Sequence, residues 1–154
     1  MIVSEDESLL EITRTFDAAP ARVFRAWLSR DEWQAWLGPE GVTCDVGLLE
    51  PRVGGRYRVT MNLPDGSVVS VAGVFKMIEE ARRLIFTWGR EGDDTRQSLI
   101  TLTFKDLGSG RTELTLRQEG LRTAENRDGH AKAWNSALGK LADYLATSNR
   151  DAAD

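Results

Sequence analysis

The first periodic stretch of the chain is Leu10 to Phe16, where Leu10, Ile12 and Phe16 alternate with Glu11, Thr13 and Thr15. Residues two apart share a face of a strand, so a half-buried strand is predicted, with Arg14 as a charged exception on its apolar face. The period then changes. Pro20 suits a first helical position, and Val23, Phe24 and Trp27 follow at helical spacing, which predicts a short helix ending near Leu28. Ser29-Arg30-Asp31-Glu32 has the spacing of a capping box and opens a second short helix with Trp33, Trp36 and Leu37 on one face. Gly38-Pro39 ends it, because Gly accepts the left-handed cap and Pro cannot continue the helix.

From Val42 to Gly120 the period returns to two. Six consecutive antiparallel strands are predicted, at Val42 to Leu49, Arg56 to Asn62, Ser67 to Ile78, Arg83 to Trp88, Gln97 to Phe104 and Thr112 to Gln118. Gly54-Gly55, Pro64-Asp65-Gly66, Gly89 to Asp94 and Gly108-Ser109-Gly110 supply the residues that tight turns demand. The Glu79-Glu80-Ala81 turn carries no such signal. Beyond it all, His130, Trp134, Leu138, Leu141 and Leu145 form one helical stripe, with Thr123 as N-cap of a helix reaching about Thr147. That helix is about 36 Å long at 1.5 Å per residue, enough to lie across a whole sheet. Gly139 in its interior costs about 1 kcal/mol relative to Ala, so it is expected to mark a close approach to the sheet or a slight bend.

This order implies an α+β helix-grip architecture: a curved antiparallel sheet of about seven strands, two short helices after the first strand, and a long C-terminal helix across the sheet. Length agrees, since 154 residues make one domain, here 1–154, with an ordered core of about 9–147 and acidic tails at both ends. One Cys, Cys44, and one His, His130, exclude an intramolecular disulfide and a structural zinc site by counting. The net charge of −4 argues against a general nucleic-acid binder, which needs a basic surface. The acidic N-terminus is unlike a secretory signal and no run of 18 apolar residues follows, so a soluble cytoplasmic protein with no membrane span is expected.

Catalytic signatures are missing: no Gly-x-Ser-x-Gly elbow, phosphate loop, His-Glu-x-x-His or dinucleotide fingerprint occurs. Cys44, alternating with Val46 and Leu48, reads as a buried inert thiol. The acidic pairs Glu79-Glu80 and Asp93-Asp94 fall in predicted turns and read as solvated. No cofactor and no metal is expected.

Several segments together resemble a known family. Phe16-Asp-Ala-Ala-Pro20, Trp36-Leu-Gly-Pro-Glu-Gly41, Gly54-Gly-Arg-Tyr57, Pro64-Asp-Gly66, Leu84-Ile-Phe-Thr-Trp88 and the His130 to Leu145 stripe resemble single-domain homologues of the heat shock protein 90 ATPase activator, within the START-like, or SRPBCC, superfamily. The resemblance runs from about Leu9 to Leu145 and rests on order and spacing. One departure is Ala133, where the family usually has Gly before the helix Trp. The resemblance implies a deep, largely apolar cavity between the sheet and the long helix, with the two short helices near one mouth.

Parity names candidates for the lining of such a cavity: Tyr57, Val59 and Met61 on one strand, Phe75 and Trp88 on others, and His130, Trp134 and Leu138 on the helix. Trp33 and Trp36, near predicted element ends, suit a pocket mouth. The plainer reading is that most of these are ordinary core, and the sharper one concerns the group together. His130 could orient a polar ligand group or move a proton, or be a helix-start histidine with its hydrogen bonds satisfied. Arg14 could grip a ligand carboxylate, or pair with an acidic neighbour.

Three functions follow as expectations. The first is non-enzymatic binding of a small apolar or amphipathic molecule, by a monomer or homodimer. A co-chaperone-like module of a heat shock protein 90, acting in stress response, is the second, and a cyclase or dehydratase using cavity polar groups is the third.

Overall fold

The computed structural model describes residues 9–92, 97–121 and 123–153. The chain runs β1 (Leu9–Phe16), α1 (Pro20–Leu28), α2 (Arg30–Trp36), β2 (Thr43–Leu49), β3 (Arg56–Asn62), β4 (Val68–Glu79), β5 (Arg83–Arg90), β6 (Ser98–Gly108), β7 (Arg111–Glu119) and α3 (Ala124–Ala153). This is the predicted helix-grip order. The strands form one seven-stranded sheet in the order β1-β7-β6-β5-β4-β3-β2. Every neighbouring pair is antiparallel. β1 and β2 are therefore opposite edges, and α1 with α2 carries the chain from one to the other.

Alternation turns one face inward. Tyr57 and Val59, Val71 and Phe75, Leu84, Phe86 and Trp88, Ile100, Leu102 and Phe104, and Leu114 and Leu116 are all buried, while their neighbours along each strand, Gly89 apart, are more exposed. A sheet covered on one side has this signature. Register shifts at Val46/Leu48, Phe75/Met77 and Asp106/Gly108 add local bends that help the sheet curl.

Close approach demands glycine at Gly73. A Cβ there would lie 2.0 Å from the Thr87 carbonyl oxygen and 2.7 Å from the Tyr57 ring. Tyr57 crosses over β4 at this bare spot, and its hydroxyl donates to the Thr87 carbonyl on β5.

The helix ends follow the sequence, with adjustments. Thr123 caps α3 through the Asn126 N–H at 3.0 Å, and Gly38 takes φ +88° after α2. Only half of the predicted capping box forms: Ser29 Oγ accepts from the Glu32 N–H at 3.5 Å, while the Glu32 carboxylate turns to Arg22 at 2.6 Å and Arg25 at 3.2 Å. Two guanidinium groups offer a carboxylate more than one backbone N–H does. Ala81 makes the signal-less turn in the left-handed region, at φ 62°. β6 continues four residues past its predicted end, to Gly108, and α3 continues past Thr147 to Ala153. Gly139 marks no close approach, since an added Cβ would meet nothing within 4 Å. The N-terminal tail to Ser8, and Asp93 and Asp94 in the β5–β6 turn, lie outside the described residues.

Candidate functional site

The helices fill the concave face unevenly. α1 and α2 bring Trp27 down onto Phe86 and Trp33 onto Tyr57, with Trp36 packed against Trp27. Trp27 is the hub, with ring centroids 4.6 Å from Trp36, 6.4 Å from Phe86 and 5.9 Å from Trp134. Toward the N-terminal half of α3 the filling stops, and a cavity of about 720 Å³ opens. Its sheet side is Met61, Val69, Val71 and Trp88; its helix side is Asn126, His130, Ala133, Trp134 and Ala137; Leu37, Gly38 and Pro39 form one wall, and Arg90, Gly120, Leu121 and Thr123 also line it. That volume lies in the range of about 300–1,000 Å³ usual for small-molecule pockets. The wall is tied to α3, because Lys140 Nζ donates to the Gly38 carbonyl at 3.1 Å and the Glu40 N–H donates to Ser136 Oγ at 2.8 Å.

A buried polar relay runs behind the lining. Trp134 Nε1 donates to Gln118 Oε1 at 2.9 Å, Gln118 Nε2 donates to Ser98 Oγ at 2.8 Å, and Ser98 Oγ donates to the Trp88 carbonyl at 2.9 Å. Its direction is fixed at one end, because an indole N–H can only donate. Gln118 must then present its oxygen to Trp134 and its amide nitrogen to Ser98. The Ser98 proton goes to Trp88, so Ser98, which also lines the cavity, is left able only to accept a further hydrogen bond.

The ten candidates from the sequence divide into two groups. Met61, Trp88, His130 and Trp134 line the cavity together. Trp33, Trp36, Tyr57, Val59, Phe75 and Leu138 are buried and do not line it. Trp33 and Trp36 thus leave the mouth they were assigned: they are core, with Trp33 edge-on to Tyr57 at 5.2 Å and Trp36 Nε1 donating to the Ala26 carbonyl at 3.1 Å. Parity fixes which face a side chain takes, but not which part of that face a helix covers. Ser98 and Gln118 were missed. Gln118 continues the inward parity of Thr112, Leu114 and Leu116, and a polar residue at such a position was the available signal.

The other polar candidates resolve as follows. His130 is half-buried, with Nδ1 2.9 Å from the Asn126 carbonyl oxygen one turn earlier, and it still lines the cavity. Among the described residues Arg14 meets no carboxylate and does not line the cavity; its guanidinium donates to the Asn135 carbonyl at 3.2 Å and so ties β1 to α3. Cys44 is buried, with Sγ 3.1 Å from the Leu37 carbonyl oxygen, and burial pushes its thiol up to about 11. Burial likewise raises the Tyr57 phenol well above its ordinary value. Neither group is poised as a nucleophile or base near neutral pH. Among the described residues, no three His, Cys, Asp or Glu side chains gather as a metal site. No helix among them is long and apolar enough to cross a membrane.

Similar structures share this architecture over nearly their whole length. A crystal structure of a protein from Chromobacterium violaceum superposes with a TM-score of 0.82 at 27% identity, covering 89% of this chain and 96% of that one. The AHSA1 protein from Silicibacter pomeroyi gives 0.79 at 28% identity, with 91% and 99% covered. No curated protein matches the chain. The family model for "Activator of Hsp90 ATPase homolog 1-like protein" matches residues 17–146, from the end of β1 to the last core turn of α3, and the chain belongs to that family.

Proposed function

We propose that this protein binds a small apolar or amphipathic molecule in the cavity between the sheet and α3, without catalysing a reaction on it. The observation that carries the reading is the contrast within a single core: a cavity of about 720 Å³ persists beside densely packed aromatics. A void of that size forfeits contacts that larger side chains at Ala133 and Ala137 would supply. Its chemistry suits a ligand, with apolar walls and a few convergent polar groups at Ser98, Asn126 and His130. Among the described residues the cavity lining holds one imidazole, His130, and no Asp, Glu, Lys, Tyr or Cys, a sparse set for proton-transfer chemistry, which favours binding over catalysis.

Native mass spectrometry of freshly purified protein tests this. A bound mass of a few hundred daltons, lost on denaturation and displaced by an amphipathic competitor, is the expected result. A clean unliganded mass, with no thermal stabilisation by a broad apolar library, would overturn it.

A second reading is supported by the family match: a co-chaperone-like module acting on a heat shock protein 90. Its test is the ATPase rate of the chaperone from the same organism, with and without this protein. An unchanged rate, with no co-migration of the two, would remove that reading.

A further inference from the structure

We propose that the occupant of the cavity is an amphipathic carboxylate, its charged group held by Arg90 at the open end and its apolar body inside. This rests on the cavity being a ligand site. Trp88 and Arg90 are two residues apart on β5, so they share a face and lie about 7 Å apart along the strand. Trp88 is buried beside the relay, whereas Arg90 is exposed on the same lining. The strand thus runs from an apolar wall to a guanidinium within roughly the length of a short acyl chain segment.

Four other arginines of the sheet each meet a carboxylate. Arg58 meets Glu91 at 3.6 Å, Arg83 meets Glu79 at 3.8 Å, Arg111 meets Asp17 at 3.3 Å and Arg117 meets Glu11 at 3.6 Å. No carboxylate among the described residues pairs with Arg90. Its neighbour Glu91 points to Arg58, and among the described residues the cavity lining contains no Asp or Glu. Glu125 lines an adjoining open groove that shares Thr123, Asn126, His130 and Ala133 with the cavity, at its α3 end and not on β5.

Polarity inside the cavity sets the orientation. The relay leaves Ser98 able only to accept, and an ionised carboxylate has no proton to give it. A buried carboxylate beside Ser98 would face an oxygen lone pair and lose its water. At Arg90 the same group finds a planar pair of donors and a matching charge while staying in contact with solvent. The apolar body then lies against Met61, Val69, Val71 and Trp88.

The experiment is calorimetric titration at neutral pH with decanoic acid, decanol and decylamine, which share one chain and differ in head group. Unaltered protein should bind the acid about tenfold more tightly than the alcohol, with the amine weakest. The quantity read is the ratio within each protein, so a general effect on the cavity cancels. Arg90→Gln should bring acid and alcohol to within about twofold, Arg90→Lys should restore part of the preference, and Arg90→Glu should place the amine ahead of the acid. If decanol binds and the acid has no advantage, or keeps it in Arg90→Gln, the carboxylate proposal is overturned and the cavity reading stands. If none of the three binds, the cavity reading fails and takes this proposal with it.

Discussion

The two halves of the concave face are built from the same alternating strands and differ in what lies on them. In the closed half, Trp27, Trp33, Trp36, Tyr57 and Phe86 fill the space in edge-to-face and tilted contacts, and the indole N–H groups of Trp27 and Trp33 have no hydrogen-bond partner among the described residues. In the open half, Trp88 and Trp134 sit 5.1 Å apart beside a void, and the Trp134 N–H is held by a fully buried glutamine. The closed half gains from mutual packing despite two orphan donors. The open half is polar behind and apolar in front, with small residues on α3 where large ones would fit, a form suited to a guest rather than to a tighter core.

The largest contrast should come from truncating one side chain in each half. Trp27→Ala removes the hub of four elements and leaves a hole in close-packed surroundings, so a loss of about 3–5 kcal/mol is expected. Met61→Ala enlarges a space that already exists beside a half-buried side chain, and should lose about 1 kcal/mol. Urea unfolding of both variants checks the difference. Equal losses would mean that the two halves are packed alike and that the cavity closes in solution.

Next in size is the relay. Gln118→Leu is close in volume but leaves the Trp134 N–H unpaired in a buried position, with one fewer partner for Ser98. A loss of about 1–3 kcal/mol is expected. Combining it with Trp134→Phe, which removes the orphaned donor, should restore part of that loss. Non-additivity in this double-mutant cycle distinguishes a working relay from two separate contacts.

The division between the halves was only partly legible in the sequence. Strand parity placed Tyr57, Phe75 and Trp88 on the inner face, and the stripe from His130 to Leu145 placed α3 over it, because both depend only on local backbone geometry. Whether Tyr57 became core and Trp88 became cavity wall depended on where α1 and α2 came to rest, a contact between distant segments that no period encodes. Trp33 and Trp36 were misjudged for that reason. Gln118 was readable and passed over: its parity called for an apolar residue, and the mismatch marked a buried network. The turn at Ala81 was opaque because nothing in an alanine announces a left-handed conformation.

Alkaline pH probes the seam between the halves, where Cys44 packs beneath Leu37 and Gly38. Its thiol is raised from 9.0 to about 11, chiefly by burial, with Lys140 opposing and Asp45 adding a little. In the unfolded chain the thiol ionises first, so the native state holds its proton longer. Stability should be unaffected below pH about 9 and should fall as pH climbs toward about 11. Cys44→Ala should flatten part of that decline in unfolding midpoints, and the rest belongs to Tyr57, whose buried phenol shifts in the same direction. An unchanged slope in Cys44→Ala would mean that the seam opens to water.

The smallest effect separates the small residues of α3 that build the void from one that does not. Ala133 and Ala137 face the cavity, whereas a Cβ at Gly139 would meet nothing within 4 Å. Helix propensity is therefore the only force acting at Gly139, and Gly139→Ala should stabilise the protein by about 0.5–1 kcal/mol while ligand affinity stays within about twofold. Ala133→Leu should do the reverse, changing stability by less than about 1.5 kcal/mol while filling the space and abolishing binding. Thermal unfolding and titration with decanol check both. If Gly139→Ala weakens binding, the helix must bend at Gly139 to admit a guest, and the void is shaped by the motion of α3 as well as by the small residues facing it.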